Sequence, residues 1–318
     1  MQKAKRKPMS ICCREKLKLM WRYKGIYLVM APALIWYILF SYVPMAGLTL
    51  AFKSYKAKLG IWGSPWVGFK HFERLFHDAD FWDSVITTLK MNGGRLIITF
   101  PFAIILALLL NELRVGGFKK ILQIIFTFPH FLSWVIIASI VKNVLGFDGL
   151  VNSAIELLGG EYVNFIGNEG LFVPLVYFTE IWKGAGWSSI IFLAAIAGID
   201  QEQYEAAEID GASRWNKVVH ITIPSIMPTI IIMFILATGN IMTKGFHQVF
   251  SMNNDAVRNV SQTLDMYIYR MTFNSRVTDF GYSTALSLFR SVVNLFFLVV
   301  ANTISKKAGG TGLMGGSD

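Results

Sequence analysis

The sequence predicts an all-α integral membrane protein with six transmembrane helices, and three observations carry that fold class. Apolar residues make up 54% of the 318-residue chain, and the mean hydropathy is +0.48. Their distribution decides more than their total, because they fall in long blocks separated by polar stretches. A bilayer core takes about 20 apolar residues per helix, and six blocks reach that length. No stretch shows the roughly ten-residue alternation of an outer-membrane barrel. Helices follow, since a span in lipid must satisfy its own backbone hydrogen bonds.

The blocks run over Ile26–Phe52, Val85–Leu110, Ile121–Leu145, Leu171–Ala197, Ile221–Met242 and Ser283–Ile304. The first is preceded by a basic arm, residues 1–25, suited to an anionic inner leaflet. It is too long for a cleaved signal, and no small-residue site closes it. Cys12 and Cys13, the only cysteines, precede that block and read as reduced thiols. Between the first two blocks, Gly60, Gly63, Pro65 and Gly68 mark turns before a short amphipathic helix, Lys70–Phe76. Trp62 and Trp66 suit the headgroup region there. The second block carries Lys90, Asn92 and Arg95 in its first half, which makes it the most polar of the six. Phe147–Gly170 reads as an acidic, glycine-bearing outer loop, and Lys306–Asp318 as a glycine-rich disordered tail. The domain plan is a cytoplasmic arm at 1–25, one transmembrane domain at 26–305 with an inner loop at 200–220, and a tail at 306–318.

The net charge is +10. Nucleic acid is not needed to explain it, because lysine and arginine beside spans set topology. With the N-terminus inside, segments 1–25, 111–120, 198–220 and 305–318 hold 16 such residues. The outer segments 53–84, 146–170 and 243–282 hold 9. Both termini are therefore expected in the cytoplasm, although Lys53, Lys56 and Lys58 run against the bias. No Gly-x4-Gly-Lys-Ser/Thr loop occurs, so ATP is not expected on this chain. No cysteine pair or histidine cluster suggests a metal. No cofactor and no enzymatic activity are expected, since the spans hold no paired acids, Ser/Lys pair or metal cluster.

The inner loop, Tyr204 to Pro224, is the most informative segment. Asp200 is a helix N-cap with Gln203 three residues on. Residues 201–210 favour a short helix, and Gly211 ends it with a left-handed or otherwise tight residue. Ser213 caps a following helix that leads to Pro224. Ala206 and Ala207 leave a surface that another protein's backbone can approach closely. Glu205-Ala206-Ala207, Gly211, Ile221, Ile223 and Pro224 stand at the spacing Glu-Ala-Ala, three residues, Gly, nine residues, Ile-x-Leu-Pro. That spacing resembles the signature of binding-protein-dependent ABC importer permeases, with Ile223 in place of leucine. Val67–Phe76, Phe100–Glu112, Phe128–Trp134 and Trp182–Trp187 resemble the carbohydrate branch of that family, its polysaccharide and multiple-sugar permeases. Gln201 departs from the proline frequent in that branch, and the chain has no large extra outer domain.

The resemblance implies the type I (MetI-like) importer permease fold in a bacterial cell membrane. It implies a coupling helix docked on a dimer of ATPase subunits, which carry ATP and Mg. It also implies a second permease, an extracellular solute-binding protein and a carbohydrate substrate. The coupling residues implied are Glu205, Ala206, Ala207, Gly211, Ile221, Ile223 and Pro224. Within the spans, Arg95, Glu180, Lys183, Asn240, Arg290 and Asn294 are polar groups that face a cavity or a partner. Sugars are held by hydrogen bonds to hydroxyls and by stacking on aromatic rings. The candidate path is therefore Trp182, Lys183, Trp187, Asn240 and Asn294. The same groups would serve equally as glue between helices, and Glu180 and Lys183 stand at pairing distance in sequence. His130, after Pro129, reads as part of a kink. A permease for a non-sugar solute, or an ion-coupled secondary carrier, are the alternatives.

Overall fold

The computed structural model describes residues 21–113, 116–274 and 279–307. Most of the basic arm, both cysteines and most of the tail lie outside them. The described elements are helical, apart from one isolated β-bridge between Lys53 and Trp66. Five helices are long and apolar enough to cross a membrane, and a bent pair, Glu169–Ala197 with Gln201–Ile209, brings the spans to six.

The first span is α-helical over Lys24–Tyr37, then opens into a π-turn at Ile38–Tyr42 and a 3₁₀ stretch at Val43–Phe52. Pro44 explains the change, because it has no N–H to give and its ring crowds the preceding turn. The same device recurs before Pro224, where Val218–Thr222 forms a π-turn. No residue of Lys24–Tyr42 is buried; the span packs on the sixth through its 43–52 end.

The second span runs over Ala79–Glu112, starting six residues before the expected Val85 because Asp78 caps it through the Phe81 N–H (3.4 Å). Its buried face holds Phe81, Val85, Met91 and Leu110 and, along one stripe, the small or polar Ser84, Thr88, Asn92, Arg95, Thr99, Ala103 and Ala107. Small residues let helices in lipid approach closely, and the fourth span, Glu169–Ala197, lies along this stripe. The third span is not the continuous helix expected over Ile121–Leu145; the part long and apolar enough to cross is Trp134–Leu157, which runs into the expected outer loop. Gly116–Thr127 ends at a 3₁₀ turn containing Pro129, and Ser133 caps a second helix, Trp134–Leu145. A side chain at Gly186 would overlap the Phe126 carbonyl, so the fourth span touches the backbone at this break.

The fifth span is Ile223–Gly239 and the sixth Phe280–Lys307. Residues 243–274, part of the segment expected on the outer side, pack against the bundle. Leu264, Met266 and Tyr267 are buried there, and the Leu264 N–H donates to Thr88 (2.7 Å). The Tyr267 and Tyr282 hydroxyls both donate to Asp78, at 2.5 and 2.8 Å. Lys53, which ran against the charge bias, is 9% exposed and donates to the carbonyls of Ile61 and Trp62. It ties its loop together.

Candidate translocation site and coupling loop

The fourth span bends by 71° into the helix Gln201–Ile209. Asp200 caps that helix through the Glu202 N–H at 3.0 Å. Gly211 ends it at φ +73°. Its N–H reaches the Glu208 carbonyl, and the Ala212 N–H reaches Ala207, at 3.1 and 2.9 Å. This pair of bonds is the Schellman closure that glycine permits. Ser213 then accepts from the Asn216 N–H (3.2 Å) and opens Arg214–Lys217. A Lys217–Glu208 ion pair (2.5 Å) spans the turn, and the Tyr204 and Thr222 hydroxyls meet at 2.8 Å. Glu205, Ala206 and Gly211 are exposed, Ala207, Ile221 and Ile223 half-buried, and Pro224 exposed. Two large apolar side chains flank the turn in the open, Ile209 at 88% and Trp215 at 72% exposure.

Deep in the bundle, the chain between Gly239 and Phe246 leaves helical geometry. A break in buried helix frees carbonyls that must find donors. Asn92 donates to the Ile241 carbonyl (2.6 Å), and Arg95 to that of Lys244 (2.9 Å). Arg95, 1% exposed, also donates to Asn92 and to Gln248 (2.5 Å). Gln248 passes the network on to Val176 and Thr179 of the fourth span. Gly245, at φ +91°, leaves the space that the Arg95 guanidinium fills.

Beside this break lies a cavity of about 310 Å³ between the second, fourth and fifth spans. Its polar wall is Arg95, Thr99, Glu180, Ser188, Asn240 and Lys244, and Phe100 and Phe192 supply rings. Glu180 pairs with Lys244 at 3.2 Å. The pairing of Glu180 with Lys183 suggested by their spacing is not formed. Lys183 turns to the opposite side and donates to the carbonyls of His130 and Leu132 that the third-span break exposes, both at 2.6 Å.

Of the five sequence-derived path residues, only Asn240 lines this cavity, and its amide donates to Leu236 (3.0 Å). Trp187 stacks face to face on the His130 ring, with centroids 4.4 Å apart. Trp182 borders a separate, apolar cavity with Phe102, Phe126 and Phe178. Asn294 accepts from the Met242 N–H (2.9 Å), which ties the sixth span to the break. Lys244, Thr99, Ser188 and Gln248 carry no signal of their own in the sequence, where Lys244 falls in an outer segment; the turn-forming Gly239, Asn240 and Gly245 around it are the signal that marks the break.

The geometry has close relatives. The chain is 44% identical over 291 residues to the polygalacturonan/rhamnogalacturonan transport system permease protein YteP of Bacillus subtilis, covering 91% of this chain and 90% of that one. It is 42% identical to Protein LplB of the same organism, covering 92% of each. A solved bacterial alginate ABC transporter, in complex with an alginate pentasaccharide-bound periplasmic protein, contains a chain that superposes with TM-score 0.84. That chain is 34% identical, and the match covers 93% of this chain and 99% of that one. Residues 99–309 match the family described as binding-protein-dependent transport system inner membrane component. The protein belongs to that family and is a multi-pass membrane component of a binding-protein-dependent transporter.

Proposed function

We propose that this chain is one permease subunit of an ATP-driven importer for oligosaccharides, forming half of the translocation path beside a second, different permease. The single observation that carries the reading is the Gln201–Ile209 helix and its Gly211 closure, set at 71° to the fourth span and presenting Glu205, Ala206 and Ile209 to the outside of the bundle. A short, exposed, rigidly closed helix joined to a span that lines the cavity is suited to transmit a push. The substrate class is supported by the likeness to polygalacturonan/rhamnogalacturonan and alginate transport proteins over nearly the whole chain.

In this reading, residues 1–25 and the 200–220 loop face the cytoplasm, and both termini lie inside. A dimer of ATPase subunits binds ATP and Mg and supplies the driving force. Its closure draws the coupling helices together, and the fourth span carries that movement to the cavity. An extracellular solute-binding protein delivers the sugar. Asn240, Thr99 and Ser188 offer hydrogen bonds to its hydroxyls, while Phe100 and Phe192 offer ring faces. ATP is not a ligand of this chain.

Co-purification tests the reading. A tag on this chain should retain the ATPase subunits in detergent, and Ile209→Asp should release them while the protein still reaches the membrane. In a background with Cys12 and Cys13 replaced, Ser213→Cys should resist an impermeant thiol reagent added outside intact cells. Labelling from outside, or full ATPase retention by Ile209→Asp, would refute the proposed docking.

A further inference from the structure

We infer that the central cavity is built for an acidic saccharide, with Lys244 as the cation that receives its carboxylate. The inference rests on the carbohydrate reading and adds a charge class and a specificity-determining residue to it.

The argument is a charge balance inside the bundle. Arg95 and Lys244 line the cavity with one carboxylate, Glu180. Arg95 is buried, and its hydrogen bonds go to a side-chain amide oxygen of Asn92, one of Gln248 and the Lys244 carbonyl, all neutral acceptors. Lys183, three residues along from Glu180, is likewise bonded to two backbone carbonyls. Among the described residues the cavity lining therefore holds two cations and one carboxylate. The other buried pair of the bundle, Arg290 with Asp265, is matched one to one and does not alter the balance. Unbalanced charge at membrane depth is costly and is kept where it meets a charged partner or a polar path.

Lys244 is the cation free to meet that partner. Its side chain is 45% exposed, against 15% for Glu180, and it stands in the turn that links Gly239 to Phe246. An ammonium has three hydrogens to donate, and Glu180 takes one direction only. A sugar-ring carboxylate entering the cavity meets Lys244 from the open side and competes with Glu180 for it. Asn240, Ser188 and Thr99 remain for the ring hydroxyls.

The test uses the complete transporter, purified with its partner subunits and binding protein and sealed into liposomes. The probes are acidic oligosaccharides prepared from polygalacturonan and from alginate, each beside its methyl ester, which keeps the hydroxyls and removes the charge. One binding protein serves every arm, so the ratio of variant to wild type isolates this chain. Lys244→Gln should raise the half-saturating concentration of the acids about tenfold or more, the loss of a charge-assisted bond, and leave the esters within about twofold. Lys244→Arg should keep acid uptake, and Glu180→Gln should lower the half-saturating concentration for acids by removing the competitor. Ester uptake also reports that each variant is folded and coupled. If Lys244→Gln impairs acid and ester alike, or Glu180→Gln impairs both as severely, the pair is a strut and the inference falls. Uptake of esters but not acids by the wild type overturns the inference and leaves the carbohydrate reading standing. Uptake of neither overturns both.

Discussion

Gly211 and Gly245 share one backbone requirement in two different settings. Both hold positive φ, +73° in the loop and +91° in the break. Around Gly211, no atom lies within 4 Å of the place a Cβ would take, whereas at Gly245 the Arg95 guanidinium fills that place. The first turn is closed by its own hydrogen bonds and faces outward. The second is closed by a side chain from another span, so its stability is inseparable from the packing of the second, fourth and fifth spans. A local turn on the surface is free to serve a partner; a turn closed by tertiary contacts is committed to the fold.

The largest expected effect is therefore Gly245→Val. Backbone strain and displacement of Arg95 add up, and a cost beyond about 4 kcal/mol, in the range that marks a severe core defect, should abolish accumulation in the membrane. A smaller substitution sharpens the point. Gly245→Ala should be partly rescued by Arg95→Ala, with a coupling of about 0.5–3 kcal/mol between the contacting sites, measured as detergent-phase thermal stability of the four variants. Additive effects would mean that Arg95 does not close the turn. Gly211→Val comes next, with strain of about 1–3 kcal/mol confined to the loop. It should reach the membrane normally and fail to retain or stimulate the ATPase. Normal transport by this variant would break the comparison from the other side.

Trp187→Ala is expected to cost about 0.5–1.5 kcal/mol of stability for the lost stack on His130 and, since Trp187 lies outside the cavity, to leave uptake and ATPase docking close to normal. Abolished uptake by a variant that is stable and retains the ATPase would place Trp187 on the path after all. Glu205→Ala should have the smallest effect, within about 0.5 kcal/mol on stability as for other exposed sites, and a weaker loss of ATPase retention than Gly211→Val.

The contrast also explains what was legible in the sequence. The loop around Gly211 is written in consecutive residues: Asp200 and Ser213 cap, Gly211 closes, and all three do so in the structure. The span positions follow from apolar length, which is a local property. The break at 239–246 is not, because Asn92 and Arg95 satisfy its carbonyls from about 150 positions away. In the sequence Asn92 only makes the second span more polar and Arg95 reads as a group facing a cavity or a partner; in the fold both donate to carbonyls of the break. The third-span interruption was half legible. Pro129 marked a kink, but the role of Lys183 as donor to the exposed carbonyls depends on the approach at Gly186.

Coupling of ATP hydrolysis to sugar movement through this chain is the central claim, and reconstituted uptake tests it most directly. Liposomes containing the complete complex, with binding protein and oligosaccharide on one side and ATP with Mg on the other, should accumulate sugar against its gradient. Accumulation should cease when ATP is replaced by a non-hydrolysable analogue or when Gly211→Val is introduced, and it should be indifferent to proton or sodium gradients. Uptake that proceeds without ATP, driven by an imposed ion gradient, would contradict the account and identify the chain as a secondary carrier.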